Sequence, residues 1–241
     1  MYLFIAENIV KFVVTEDTSN TSGSGSVGSQ LSLLCIKCAP VSEGFLLWAS
    51  HKCKGNECTE STAYPTLAPG ILSLARIISK YHPFSREKVA DLAILFLSHS
   101  SSEVSPQKLN DIKVQALRLL LIVSTQGLAV HVFNIIFQKV KRGEMDSNLI
   151  RYFISGALDI IRPPVSMSFI HAIGELLTSK VCIDALNSNF FNKQKKIALM
   201  KLITSFKTHV SEVKFTGAEK ASIELVSTLH AAYNVSSKNM K

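Results

Sequence analysis

The fold is decided by residues 106–161, which read PQKLNDIKVQALRLLLIVSTQGLAVHVFNIIFQKVKRGEMDSNLIRYFISGALDII. Apolar residues recur in this stretch at intervals of three and four, the spacing that places side chains on one face of an α-helix. Gly127 and Gly143 interrupt the periodicity. The stretch therefore predicts three consecutive helices: one that ends at Gly127, a second over Leu128–Lys141 and a third over Met145–Ile161.

The same periodicity continues on both sides. It predicts further helices over Leu67–Lys80, from Ser85 to Leu97, and over Pro164–Thr178, Lys193–His209 and Gly217–Tyr233. Patterns typical of strands are nearly absent, so the chain is predicted to be all-α. Paired helices recur about every 40 residues, which predicts a HEAT-like helical repeat array of antiparallel helix pairs. A compact orthogonal bundle is the alternative.

The amino-terminal part has a different composition. Met1–Val14 is apolar but contains Glu7 and has no basic residues before the apolar run, so it is interpreted as part of an amphipathic helix and not as a signal peptide. Thr15–Ser29 is rich in Ser, Gly and Thr and predicts a flexible linker. We therefore expect an N-terminal helix plus a flexible Ser/Gly linker over residues 1–29, and a helical-repeat domain over residues 30–241.

Composition limits the classes of protein to consider. Hydrophobic residues make up 47% of the chain, but no uncharged run approaches the roughly 20 residues of a spanning helix, so no membrane association is expected. Five Cys without a secretory signal indicate a reduced compartment with free thiols. Lys and Arg number 26 against 18 Asp and Glu, and ten Lys against four acids lie between Lys180 and Lys241. This excess favours nucleic acid or acidic proteins as partners.

The sequence offers one weak candidate for a metal site. Cys35 and Cys38 have the C-x2-C spacing of zinc ligands, and three further candidates follow: His51, Cys53 and Cys58. The second Cys pair is spaced by four residues, and Cys35 lies in an apolar run that is predicted to be helical. Buried free Cys is common in cores, so no metal and no cofactor is expected. A small zinc-dependent helical enzyme is the rival interpretation.

Motifs of catalysis are missing from the sequence. It contains no GxGxxG, Walker loop, HExxH or GxSxG pattern, and its seven His are dispersed. Asp159 lies on an apolar helix, where a structural hydrogen bond or a solvent-facing position is a simpler interpretation than a catalytic role. The chain is therefore predicted not to be an enzyme.

Two groups of basic residues are candidates for binding nucleic acid. The larger group lies on the predicted helix after Asn192 and consists of Lys193, Lys195, Lys196, Lys201 and Lys207. The smaller group consists of Lys139, Lys141 and Arg142. Clustered cations attract phosphates in a salt-dependent way that is indifferent to sequence. Few aromatics interleave with either group, so base stacking is not predicted. A solvated helix face is the alternative interpretation.

One segment resembles a known family. It comprises Leu149, Ile150, Arg151, Tyr152 and Phe153, followed by Asp159 within LDII and by Pro163-Pro164. This segment is similar to the C-terminal region of the negative elongation factor C/D family. The resemblance continues weakly on both sides, to about His209 downstream, and covers only the second half of the family's usual length. Thr216–Lys241 and the Thr15–Ser29 linker depart from the family pattern.

The resemblance implies a function that composition does not. It implies a non-enzymatic HEAT-like scaffold subunit of the nuclear negative elongation factor complex. Such a subunit would help to stabilise promoter-proximal pausing of RNA polymerase II together with the DSIF factor. Its implied partners are the A-type and B-type subunits, RNA polymerase II and single-stranded RNA or DNA. The rival interpretation is an unrelated HEAT-type adaptor of another intracellular complex.

Overall fold

The computed structural model describes residues 27–54, 64–98, 104–162, 165–212 and 219–238. The regular elements in these ranges are all helical, which confirms the all-α class. Contacts divide the chain into two compact units, Met1–Val123 and Ser124–Lys241. The arrangement of helix pairs as a repeat array stays a prediction.

The first unit is built from five described α-helices and a short 3₁₀ turn. They are α1 (Val27–Lys37), α2 (Ala39–Lys54), α3 (Tyr64–Tyr81), the 3₁₀ turn Pro83–Ser85, α4 (Arg86–Ser98) and α5 (Pro106–Val123). Helix α4 packs on α2, α3 and α5, while α3 also contacts α1 and α5. The core of this unit includes the fully buried side chains of Phe45, Phe96 and Leu117.

The first described helix begins before the predicted end of the Ser/Gly linker. Helix α1 begins at Val27, so the last three residues of the predicted Thr15–Ser29 linker are helical. The rest of that linker and the predicted helix in Met1–Val14 lie outside the described residues. Helix α2 begins at Ala39 and thus has Pro40 in its first turn, where the missing amide hydrogen costs no helical hydrogen bond.

The second unit opens with a turn at Gly127. Its described elements are a π-helical turn (Ser124–Leu128), α6 (Ala129–Lys141), α7 (Ser147–Ile160), α8 (Met167–Thr178), α9 (Lys180–Asn187), α10 (Lys193–Glu212) and α11 (Glu219–Lys238). Gly127 has a φ of 105°, a conformation that L side chains rarely adopt. The predicted break at Gly127 is therefore confirmed. Helix α9 is an element that the periodicity did not predict.

Polar side chains fix where the helices of the second unit begin. The Asp146 carboxylate accepts a hydrogen bond from the Leu149 amide at 2.9 Å, which caps α7. The Ser166 hydroxyl accepts one from the Phe169 amide at 3.2 Å and caps α8. Helix α8 begins three residues after the predicted start at Pro164, which lies outside the described residues together with Pro163.

Three aromatic rings form the centre of the second unit. The Phe133 ring on α6 lies 5.1 Å from the Phe153 ring and 5.1 Å from the Phe169 ring, measured between centroids. Phe133 and Phe153 are fully buried and Phe169 is nearly so. Tilted and edge-to-face aromatic pairs add to the stabilisation from buried area. Helix α8 packs on α6 and α11, and α7 packs on α9 and α10.

By length and composition alone, the described segment Pro106–Lys141 could cross a membrane, and the bent pair Gln30–Lys37 with Ala39–Cys53 passes the same test if counted as one span. Pro106–Lys141 contains charged residues such as Arg118, so it has no uncharged run of the length that a spanning helix needs. Its mean hydropathy is nevertheless high enough for a spanning helix. Core helices of globular proteins also pass this test. Within the segment, Leu117, Leu120 and Ile136 are buried inside the protein.

Candidate nucleic-acid interface

Helix α10 buries one side and leaves the other to solvent. Asn192 precedes it, and the Asn192 side-chain oxygen accepts a hydrogen bond from the Gln194 amide at 2.8 Å. The buried side of α10 carries Leu199, Leu202, Ile203, Phe206 and Val210. These side chains face the neighbouring helices, because α10 packs on α11 and α7. The predicted amphipathic helix therefore exists, and its polar face is available as a surface.

Three of its five lysines belong to the exposed face. Lys193, Lys201 and Lys207 are exposed and form no ion pair within the part of the chain that the structure describes. A rotation of about 100° per residue places them, with the half-exposed Ile197, within an arc of about 120°. We call these three lysines the lysine ridge. The ridge spans about 21 Å along the helix axis.

The other two lysines make contacts inside the unit. Lys195 forms an ion pair with the Asp159 carboxylate, and its ammonium group also donates a hydrogen bond to the Ser155 carbonyl oxygen at 3.0 Å. Lys196 donates to the Asn187 carbonyl oxygen at 3.3 Å. Lys195 therefore ties α10 to α7, and Lys196 ties it to the end of α9. These contacts also give Asp159 a structural partner.

The smaller basic group is partly neutralised. Lys139 forms an ion pair with Glu144, and an Arg142 guanidinium nitrogen lies 3.9 Å from a carboxylate oxygen of the same residue. Lys141 is exposed and without an ion pair in the described part of the chain. One acid therefore serves two of the three cations, which leaves this group with less net charge than the lysine ridge.

An exposed aromatic side chain lies just before α10. Phe190 is 86% exposed, whereas its neighbour Phe191 is only 4% exposed and anchors the loop. The Arg151 guanidinium lies over the Phe190 ring, 5.5 Å from its centroid. Sequence reasoning missed this residue. The adjacent pair Phe190-Phe191 in front of a helix cap was the available signal, since two neighbouring side chains seldom share one buried side.

The residues of the segment Leu149–Phe153, which carries the family resemblance, differ in their burial. Leu149, Ile150 and Phe153 are buried, while Tyr152 is only partly exposed. Arg151 donates hydrogen bonds to the Asn148 side chain and, at 3.1 Å, to the Ser188 hydroxyl. The segment therefore supplies both core contacts and a link from α7 to the loop before α10.

Among the described residues, the candidate metal ligands do not form a metal-binding group. Cys35 is fully buried, Cys38 and Cys53 are partly exposed, and Cys58 lies outside the described residues. Within the described ranges, no group of three or more His, Cys, Asp or Glu could hold a metal ion. Burial raises the pKa of the Cys35 thiol to about 11. A thiol with that pKa stays protonated at neutral pH and is a poor ligand or nucleophile.

A known protein family matches most of this chain. The family model of the TH1 protein matches residues 6–211. This chain belongs to the TH1 protein family. The resemblance to the negative elongation factor C/D family is thereby confirmed.

One curated relative of this TH1 chain is negative elongation factor D of Mus musculus. The two are 24% identical over 154 residues, which cover 63% of this chain and 26% of the mouse protein. The chain thus spans about a quarter of the length of that relative. The TH1 family is not a family of enzymes.

Proposed function

We propose that this TH1 protein is a non-enzymatic scaffold subunit of a negative elongation factor complex and acts in transcription in the nucleus. The observation that carries the proposal is the family match over residues 6–211. The name of the mouse relative supports the same role. An unrelated HEAT-type adaptor would not be expected to match this family model over most of its length.

In this role the helical body binds partner subunits of the A and B types and holds them against RNA polymerase II, which stabilises promoter-proximal pausing. Each helical unit is suited to this task because a packed core keeps its own exposed faces in fixed positions, as the Phe133, Phe153 and Phe169 cluster does in the second unit. Co-purification with an A-type subunit tests the scaffold role. Failure of the two chains to associate when co-expressed would contradict it.

The lysine ridge gives the scaffold a second ligand, the phosphates of single-stranded RNA or DNA. Its ammonium groups are exposed and lack carboxylate partners in the described residues, so they remain available to neutralise phosphates. Lys195 and Lys196 contribute less, because their ammonium groups hold α10 to its neighbours. Binding is expected to be insensitive to sequence and steeply dependent on salt.

A salt titration tests this part of the proposal. Replacing Lys193, Lys201 and Lys207 by Gln should flatten the slope of log binding constant against log salt by about 2, since each single-strand phosphate contact contributes roughly 0.7. The matched control replaces three other exposed lysines, Lys37, Lys108 and Lys180, which removes the same charge elsewhere. Equal slopes for both variants would show that only net charge matters and that the ridge is a solvated face.

A further inference from the structure

The loop between α9 and α10 is fixed on several sides, yet it leaves one large ring in solvent. The Ser188 hydroxyl donates to the Ala185 carbonyl oxygen at 2.6 Å and accepts from Arg151 at 3.1 Å. The Phe191 amide donates to the Ser188 carbonyl oxygen at 3.2 Å, and the Phe191 ring is buried. Phe190, between these anchors, is 86% exposed. The loop therefore presents this ring in a defined position.

The surroundings of Phe190 are cationic. The Arg151 guanidinium lies over the ring, and its Nη1 and Nη2 nitrogens each donate a hydrogen bond, to Ser188 and Asn148 respectively. Lys193, the first residue of the lysine ridge, follows Phe190 by three residues. A ligand for this surface therefore needs an apolar flat group and a negative charge close together. A nucleotide with an unpaired base has both.

We propose that Phe190, supported by Arg151, is a stacking platform for one unpaired base of a single strand whose phosphates contact the lysine ridge. Every base has a π face, so stacking on an aromatic ring tolerates any sequence. Bases within a duplex are already stacked and paired, so the platform selects single strands. This inference rests on the proposed binding of nucleic acid and adds the site at which a base is held.

A double-mutant cycle between protein and ligand tests the platform. The ligands are an oligothymidylate of about 12 nucleotides, a typical single-strand site size, and the same phosphodiester chain with abasic residues. Phe190→Ala should weaken binding of the oligothymidylate by roughly 5- to 150-fold, the usual range for losing one stacked base. The same substitution should leave binding of the abasic chain unchanged, because the phosphates still contact the lysines.

Two further variants sharpen the result. Phe84→Ala removes another fully exposed Phe, located in the first unit, and should change neither affinity. Phe190→Trp should keep the affinity for oligothymidylate, and its indole emission should be quenched by the stacked base. The natural Trp48 is buried and should not respond.

The outcomes separate this inference from the proposed function. If the parent binds neither ligand, both are overturned. If the lysine-ridge variant loses affinity while Phe190→Ala binds oligothymidylate as the parent does, only the platform is overturned. Equal losses on both ligands would also overturn it, because they would mean that Phe190 supports the ridge and does not contact a base.

Discussion

Truncating Phe153 tests the core of the second unit directly. Phe153 is fully buried on α7, and its ring lies 5.1 Å from that of Phe133. Phe→Ala substitutions in cores cost about 3–5 kcal/mol of unfolding free energy. The lost aromatic pair contributes roughly 0.5–1.5 kcal/mol. Because Phe133 is also held by Phe169, the remaining rings should collapse little into the space, and we expect about 4–5 kcal/mol.

Urea unfolding followed by far-ultraviolet circular dichroism measures this loss. The free energy is extrapolated linearly to water, and the slope with denaturant reports how much surface unfolding exposes. Coincident transitions by circular dichroism and by Trp fluorescence test whether unfolding is two-state. The melting temperature should fall by roughly 8–20 °C for a protein of this size. Phe84→Ala is the matched control, since the same atoms are removed from a fully exposed side chain, and it should stay within about 0.5 kcal/mol of the parent.

A Phe153→Ala protein whose midpoint moves no further than that of Phe84→Ala would refute the reasoning. It would mean that Phe153 does not lie in the core and that the assignment of the buried face of α7 is wrong. A large loss with an unchanged denaturant slope would support both the face and the ring cluster.

Three other predictions follow from a backbone conformation, a buried hydrogen bond and a buried thiol. Gly127→Ala should lower the free energy of unfolding by about 1–2 kcal/mol, because a φ of 105° is unfavourable for an L side chain. Gly70→Ala on α3 should raise it by about 0.5–1 kcal/mol, because an added Cβ meets no atom within 4 Å and alanine favours the helix. Thermal melts of the two variants compare these effects. Tyr233→Phe should cost about 1–2 kcal/mol, measured by urea unfolding, because the phenol donates a buried hydrogen bond of 2.8 Å to the Leu177 carbonyl oxygen. The pKa of the Cys35 thiol is about 11 when folded against 9.0 as its ordinary value, so stability should fall as pH rises between these values, and less steeply in Cys35→Ala.

The helical class could be predicted because apolar spacing and breaking residues are local features. Gly127 and the Asp146 cap are examples, since each acts on the backbone within a few residues. Helix α9 was missed because eight residues span just over two turns and give too short a pattern to detect. Its start depends on Ser179, whose hydroxyl accepts from the Cys182 amide at 3.4 Å.

The candidate surface could be predicted only in part. The sequence identified α10 and its lysines, but periodicity could not separate Lys195 from the ridge. The partner of Lys195, Asp159, lies 36 residues earlier in the chain, and only tertiary packing brings the two together. The adjacent pair Phe190-Phe191 indicated that one of the two rings is exposed, but only the tertiary packing decides which of them enters the core.

The hydrogen bond between Arg151 and Ser188 joins residues 37 positions apart, so the platform exists only when α7 and the loop before α10 are packed together. A synthetic peptide covering the loop and α10 would keep every lysine of the ridge and Phe190 itself, but it would lose the guanidinium behind the ring. Such a peptide should behave as a generic polycation and bind duplex and single strand with little preference. A preference for single strands over duplex would then report that the protein is natively folded, because charge alone does not produce that preference.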